Sequence, residues 1–417
     1  MRRARPKRYN LFEVVGIELE YVIVDRELHP RCLLGEAFRY INGRPTSELR
    51  YKNVGFSNEL AAHIFEIKTL EPHSSLVQIE ADLLEGLRFF ASVLRERFDA
   101  RLLPTGMHPF MGPSETELWQ RANRAIYATY ASIFPIRDHG WLNVQANHIN
   151  LPFGSEAETV AMYNALACLL PYLPALAASS PIYEGAIGPA ADNRMEFYKV
   201  NQRRFPAITG LVVPEFIDSF SDYRRKVFKP IRDSLAGIPG ADRLHPEWVN
   251  SRGAIMRFSR RALEIKALDV QECIKSDIAI AAFTRAALRS LVRRLSTSDL
   301  ALPEHSVLVD DLNATIREGS RGSVYASHFR SNGERRRGTT TARRILRTLL
   351  DSAAAEIPGD EKHYLAIVED RVRRGSLAER IAHQVRRRAK RSDPAPAIRA
   401  VYSELADCLD ENLPWDG

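Results

Sequence analysis

Two glutamates separated by one residue stand in an otherwise apolar run, Gly16-Ile17-Glu18-Leu19-Glu20-Tyr21. Alternate side chains of a strand share a face, so Ile17, Leu19 and Tyr21 point one way and Glu18 and Glu20 the other. A second segment repeats the habit: Ile64, Glu66 and Lys68 share a face opposite His63, Phe65 and Ile67, and Glu59 stands seven residues ahead of Glu66. Glu264 and Lys266 alternate in the same way within Leu263 to Asp269. Two carboxylates about 4 Å apart repel by roughly 4 kcal/mol at an effective dielectric near 20. One such pair is routine on the wet face of a sheet, whereas three strands with the same habit ask for a common reason. A cluster of inward carboxylates becomes stable when divalent cations occupy it, and hard oxygen ligands select Mg2+ or Mn2+ over zinc. His148-Ile149-Asn150 adds a candidate nitrogen ligand and an amide on one strand face. Arg203, Arg204, Arg257, Arg260 and Arg261 lie near these segments in sequence, and a guanidinium binds phosphate or carboxylate in a two-point fork.

These side chains need strands to hold them. Phe12 to Asp25 and Ala61 to Leu70 are rich in β-branched and aromatic residues and read as strands. Leu142 to Leu151 reads as a third, and Ala254 to Phe258 with Ala262 to Leu268 as a hairpin turning at Ser259-Arg260-Arg261. Ser75 with Gln78, and Ser155 with Glu158, are capping boxes that open helices. The first helix carries Leu76, Ile79, Leu83, Leu87, Phe90 and Leu94 at helical spacing, and the second runs to Leu170. A long helix is expected from about Val270 to Leu295, and the chain is helical in pattern from about Thr341 onward. Strands mixed with helices, followed by helices alone, predict an α+β fold with a substantial antiparallel sheet. No G-x-G-x-x-G or Walker loop opens a helix, which argues against a Rossmann fold or a P-loop NTPase.

Composition sets outer bounds. The 417 residues are 45% hydrophobic and 27% charged, which excludes disorder for the bulk of the chain. The longest apolar stretch, Ala165 to Ala178, contains Pro171 and Pro174 and falls short of the roughly 20 residues of a membrane span. The first residues carry charge without an apolar run behind them, unlike a secretory signal. The net charge of +7 is mostly local, because Arg2, Arg3, Arg5, Lys7 and Arg8 supply five positive charges. The body is therefore close to neutral, and nucleic acid is not an expected partner. Arg335 to Arg337 and Arg386 to Arg388 read as solvated faces. Four scattered cysteines form no C-x-x-C pair, and a reducing cytoplasmic setting is the default expectation.

In chain order, these segments resemble the carboxylate–amine ligases of the glutamate–cysteine ligase type, in particular the bacterial family-2 branch. GIELEY (Gly16 to Tyr21) is similar to the family's opening metal-binding strand, and FEIKT (Phe65 to Thr69) to its second acidic strand. Gly106-Met107-His108-Pro109 is similar to a G-x-H-P turn, His148-x-Asn150 to an H-x-H or H-x-N strand, and Ser179-Ser180-Pro181 to an S-S-P segment. LEIKALDVQ (Leu263 to Gln271) is similar to the E-x-R-x-x-D-x-Q strand end.

The resemblance implies a glutamine-synthetase-like core: a curved antiparallel sheet forming a funnel, flanked by helices, with a helical C-terminal region. The implied catalytic core spans residues 10–300; the charge pattern makes residues 1–9 a basic arm, and the helical pattern makes residues 301–417 a mainly helical region expected to pack on the core. The resemblance implies metal ligands Glu18, Glu20, Glu59, Glu66, His148 and Glu264, holding two or more Mg2+ or Mn2+ ions. Thr69, Asn150, Arg257 and Lys266 are the implied ATP contacts, with Arg257 and Lys266 also catalytic. Arg203 and Arg204 are the implied substrate contacts, Arg203 being the first choice for the acid's α-carboxylate. The implied reaction activates a carboxylate, by default the γ-carboxyl of glutamate, as an acyl phosphate at the expense of ATP. An amine, cysteine or another amino compound, then forms the amide and releases phosphate. The partners are thus small-molecule acid and amine substrates, and a homodimer is compatible with this picture. Two departures stand at the site: Lys266 replaces the family's arginine, and Asn150 replaces its second histidine. A guanidino-kinase-like phosphotransferase and an inactive nucleotide-binding regulatory protein are the alternatives.

Overall fold

The strand expected around the first glutamate pair is β1 (Gly16–Val24), and it runs through the middle of a sheet. The computed structural model describes residues 7–121, 124–329, 338–390 and 393–417. Arg2, Arg3, Arg5 and Arg335 to Arg337 lie outside these. Before and after a helix (Leu76–Phe98) come β2 (Glu48–Tyr51), β3 (Val54–Asn58), β4 (Ile64–Thr69), β5 (Arg101–Leu103) and β6 (Ala146–Pro152). A small hairpin, β7 (Ile182–Tyr183) and β8 (Ala186–Ile187), stands apart from the sheet, which β9 (Ala254–Arg257) and β10 (Ala262–Asp269) complete. Among the described residues, eight strands form one open antiparallel sheet in the order β2-β3-β4-β1-β6-β10-β9, with β5 also pairing β1.

The two faces of β1 meet different surroundings. Ile17, Leu19, Tyr21 and Ile23 are fully buried and belong to the main core with Phe65, Ile67, Leu83 and Phe90. Phe90 of the helix Leu76–Phe98 stacks on Phe65 of β4, ring centroids 3.9 Å apart and planes 4° from parallel. Such a pair adds about 0.5–1.5 kcal/mol beyond its buried area. Gly86 permits this close approach, since a Cβ there would lie 2.5 Å from Val54 Cγ2. The helix Ile274–Ser296 is buried nearly all round over its first five turns and correspondingly central, touching helices Leu76–Phe98, Glu156–Leu169, Ala342–Ala353 and Leu365–Arg374.

On the other face Glu18 and Glu20 are followed by Val22 and Val24. Those two valines, with Ile64 and Leu103, pack into a second cluster with Leu377, Ile381, Val401, Tyr402 and Leu405. The helices Leu377–Arg388 and Ala395–Glu411 thereby cover one end of the glutamate face and leave the carboxylate end uncovered by them.

Local differences have local causes. Ser155 and Glu158 form a complete capping box, whereas at Ser75 only half forms, because Gln78 turns its amide to Asp82 at 2.9 Å. The strand expected from Leu142 begins at Ala146, since His139–Leu142 is a helical turn capped by the chain itself. The long helix starts at Ile274 rather than Val270, because Gln271 and Glu272 spend their side chains on buried partners. The hairpin β2–β3 was not expected from the sequence: its alternation is short, and β3 is buried throughout. Arg386, Arg387 and Arg388 are exposed, as a solvated face should be. Among the described residues no helix is long and apolar enough to cross a membrane.

Candidate active site

Antiparallel register turns the separate glutamates into one cluster. Glu20 of β1 lies directly opposite Glu66 of β4, and Glu18 opposite both Lys68 of β4 and His148 of β6. Further along, Asn150 of β6 lies opposite Glu264 of β10, and Ser57 of β3 opposite Glu66. Opposed residues on neighbouring strands have Cβ atoms about 4.5–5.5 Å apart and point to the same side, so all of these share one face.

Polar neighbours balance part of the charge. Glu66 accepts a hydrogen bond from Ser57 Oγ and an ion pair from Lys68 Nζ at 2.6 Å. Glu20 Oε2 accepts the backbone N–H of Ala146 at 2.8 Å. Glu18 accepts from Asn150 Nδ2 at 3.1 Å and faces Arg260 at 3.5 Å. His148 sits between them, Nδ1 3.7 Å from Glu18 and Nε2 4.0 Å from Glu20. Burial and Glu264 press the Glu18 carboxyl upward, but His148 and Arg260 outweigh them and hold it at about 2. Burial and the neighbouring carboxylates instead raise Glu20 and carry Glu59 well above the usual carboxylate range.

Two trios have ligand atoms within 4.8 Å of one another: Glu18, Glu66 and His148, and Glu20, Glu59 and Glu66. Glu66 belongs to both. His148 Nδ1 is buried without a hydrogen-bond partner, as a nitrogen reserved for a ligand would be. Carboxylate oxygens and one imidazole, with two of the carboxyls pushed up by burial and by their like-charged neighbours, fit hard divalent cations. Glu264 is in neither trio. Its oxygens are taken by Arg257, through Nε and through Nη2 at 3.0 Å, and by Lys266 Nζ at 3.0 Å. Lys266 and Arg257 hold the Glu264 carboxyl well below its usual range against the pull of burial.

A cavity of about 710 Å3 opens beside this face. Glu20, Glu59, His148, Arg257 and Lys266 line it, together with Tyr127, Tyr130, Trp141, Tyr198 and Trp248. Arg257 and Arg260 lie over the Trp248 ring at 4.8 and 5.2 Å.

Several expected residues stand elsewhere. Arg203 and Arg204, expected to contact substrate, are not in the cavity lining. Arg203 is exposed with its nearest acid, Asp138, at 4.0 Å, and Arg204 donates to the Ile133 carbonyl and lies over the Phe205 ring. They follow the helix Asn193–Val200 in a surface turn that points away. Arg194, on that helix, faces the cavity instead. Its position was open to reading: Asp192 caps Met195 N and starts a helix on which 194, 198 and 201 form one stripe. Thr69, an expected ATP contact, lines a separate cavity of about 350 Å3, and its Oγ1 accepts the Ile17 N–H at 3.1 Å.

The remaining motif residues support the site from behind. Asp269 is fully buried and accepts from Ser179 N at 2.7 Å, Ser180 Oγ at 2.7 Å and Arg194 Nε at 2.5 Å. Gly106 lies against the same carboxylate, where a Cβ would stand only 2.3 Å from Asp269 Cγ. His108 donates from Nε2 to the Leu28 carbonyl at 2.7 Å, and its Nδ1 accepts the N–H groups of Phe110 and Met111. These residues tie loops together and leave the open face to the glutamates.

Known proteins resemble this chain in sequence and in architecture. The model of the glutamate–cysteine ligase family 2 matches residues 14–404. An uncharacterized protein of Archaeoglobus fulgidus is 35% identical over 399 residues, covering 96% of this chain and 99% of that protein. A protein of Rubrobacter xylanophilus bearing the name "Putative glutamate--cysteine ligase 2-3" is 27% identical over 236 residues, 52% of this chain and 55% of its own. Among solved structures, glutamate–cysteine ligase of Francisella tularensis in complex with AMP superposes with a TM-score of 0.62 at 12% identity, over 97% of this chain and 90% of that one. A bifunctional glutathione synthetase from Pasteurella multocida superposes with a TM-score of 0.60 at 13% identity, over 94% of this chain and 53% of that one. At such identities the two structures establish the shared fold.

Proposed function

This chain belongs to the glutamate–cysteine ligase family 2, and from that premise we propose that it is an ATP-dependent carboxylate–amine ligase. The observation that carries the reading is Glu66 contributing to two ligand trios, one of them completed by His148, on a face that borders a cavity also lined by Arg257 and Lys266. The AMP bound to the structural relative from Francisella tularensis supports an adenine nucleotide as one substrate.

In this reading Glu18, Glu66 and His148 would hold one Mg2+ or Mn2+ ion, and Glu20, Glu59 and Glu66 would hold a second. Divalent cations there would offset the repulsion between an attacking carboxylate and the phosphates. Lys266 and Arg257 add fixed positive charge at the cavity wall, and Glu264 keeps both side chains in place. The acid's carboxylate oxygen attacks the γ-phosphorus of ATP, the bond to ADP breaks, and an acyl phosphate forms. The amine nitrogen then attacks the acyl carbon, phosphate leaves with the bonding pair, and the amine gives up a proton. Proximity and preorganised charge supply the rate, so no serine or cysteine nucleophile is required. Glutamate is the proposed acid, through its γ-carboxyl, and cysteine or another amino compound the amine.

The test is phosphate release from ATP and Mg2+ with glutamate and pooled amines, followed by mass spectrometry. A product lighter than acid plus amine by one water supports the reading. Phosphorylated amine or guanidine without an amide would point to a phosphotransferase instead, and absence of nucleotide binding would overturn both.

A further inference from the structure

The glutamate face of the sheet has a polar counterpart behind it. Val144, Ala146 and His148 line the cavity, so alternation along the chain sends Gln145 and Asn147 to the other side. Tyr21 leaves β1 on that side too, since its neighbour Glu20 faces the cavity. Asp277, in the first turn of the helix Ile274–Ser296, meets them there: its Oδ1 accepts Asn147 Nδ2 at 2.9 Å and the Gln271 N–H at 3.0 Å. Tyr21, Gln145, Asn147 and Asp277 are all fully buried. Each keeps a polar atom without a hydrogen-bond partner: the Tyr21 hydroxyl, both ends of the Gln145 amide, Asn147 Oδ1 and Asp277 Oδ2. The Asn147 amide is fixed in orientation, because its Nδ2 also donates to the Asp277 carbonyl at 3.3 Å, which leaves Oδ1 as the free acceptor. Burial, and after it the fields of Asp277 and Cys273, push the Tyr21 phenol well above its usual range, so hydroxyl and carboxylate lie within each other's field.

A buried carboxylate oxygen without a partner is costly until a positive charge or a proton meets it. Arg371, the guanidinium whose field reaches Asp277, is spent on both oxygens of Glu272. Burial accordingly pushes the Asp277 carboxyl well above its usual range. One negative charge among neutral oxygens balances a single positive charge, whereas Mg2+ keeps several of its waters and Ca2+ gathers more carboxylates. We propose that Asp277 Oδ2, Asn147 Oδ1, Gln145 Oε1 and the Tyr21 hydroxyl oxygen form a site for one monovalent cation, K+ or Na+. The site is separate from both acidic trios and does not depend on the ligase reading. Its position gives it a role, since Tyr21 adjoins Glu20 and Asn147 adjoins His148. The ion ties β1, β6 and the central helix together directly behind the face that carries the glutamates.

Scanning calorimetry of the full chain tests the site, with Mg2+ in constant excess so that the glutamate face has its own cation. The unfolding midpoint is read in KCl, NaCl and choline chloride at equal ionic strength. It should stand higher in KCl or NaCl than in choline chloride, and the two salts tell which ion is preferred. Above the dissociation constant it should rise by about 1–2 °C for each tenfold increase in that ion. Asp277→Asn keeps the shape and the two donated bonds but removes the charge, and its midpoint should be the same in all three salts. Tyr21→Phe removes one neutral ligand and should move the ion dependence to at least tenfold higher concentration, which keeps the site testable should Asp277→Asn misfold. In crystals grown with Tl+ in place of K+, anomalous density should lie between Asp277 and Asn147. Equal midpoints of the unaltered chain in the three salts overturn the site. So does an undiminished ion dependence in Asp277→Asn, or water alone beside Asp277 in the thallium crystals. ATP turnover judges the ligase reading separately.

Discussion

Glu20 and Glu66 face each other across neighbouring antiparallel strands, the one position in a sheet where like charges repel most directly. Ser57, Lys68 and the Ala146 N–H relieve part of that repulsion, and Glu59 adds to it. The fold therefore carries a built-in cost that bound cations would remove.

Glu20→Gln separates that cost from the benefit. Without divalent metal the variant should melt at the same temperature as the parent or higher, because one of the opposed charges is gone. With Mg2+ the parent should gain stability and the variant should gain less. A variant that gains as much as the parent places the cations elsewhere.

Glu66→Gln removes the carboxylate common to both trios. Metal-dependent ATP turnover should fall by at least about 100-fold, roughly 2.7 kcal/mol of lost transition-state stabilisation, with far-UV circular dichroism unchanged. Retention of full turnover would falsify the site.

Lys266 tests a departure from the family pattern. Lys266→Met leaves Glu264 to Arg257 alone and removes a cavity cation. Turnover should drop about tenfold or more, while Lys266→Arg should keep most of it. Equal activity of the methionine variant would reduce Lys266 to a partner of Glu264.

Asp269 is a stability prediction. Asp269→Asn strands Arg194 in the interior, and breaking a buried ion pair costs about 3–5 kcal/mol. Gly106→Ala drives a methyl into the same carboxylate and should cost about 1–3 kcal/mol. Urea unfolding measures both, and a loss below about 1 kcal/mol in each would mean the loops are held by something else.

His108 sets a pH dependence. Burial lowers its pKa to about 4, against about 6.5 when unfolded. The unfolded chain thus binds a proton more readily between those values, and stability falls as pH drops from 6.5 toward 4, by about 1.4 kcal/mol per pH unit. Protonating Nδ1 also breaks its bonds from Phe110 and Met111. His63, lowered to about 3 by burial, slopes the same way, whereas Glu59, Asp192 and Asp277, raised by burial, slope the opposite way. The diagnostic is hence a difference: His108→Gln should flatten the slope of unfolding free energy between about pH 6 and 5 by about 1 kcal/mol per unit relative to the parent. Parallel slopes would mean that His108 is already charged in the folded chain.

What the sequence determined by itself is whatever depends on short-range periodicity. The two-residue period of Gly16 to Tyr21 places Glu18 and Glu20 on one face whatever the strand's neighbours, and Ser155 with Glu158 opens a helix through contacts three residues apart. The family motifs were legible for a related reason, since each is a short local pattern. Tertiary structure alone decided which strand lies beside which, and so that Glu20 meets Glu66, Glu18 meets His148, and Glu66 serves both trios. It also decided the fates of similar residues. Glu264 is captured by Arg257 and Lys266 while Glu59 joins the carboxylates. Arg194 reaches the cavity while Arg203, nine residues on, reaches solvent. Pairing register and helix orientation are set by burying the opposite, apolar faces, a condition that sums over the whole core and leaves no mark at any single position.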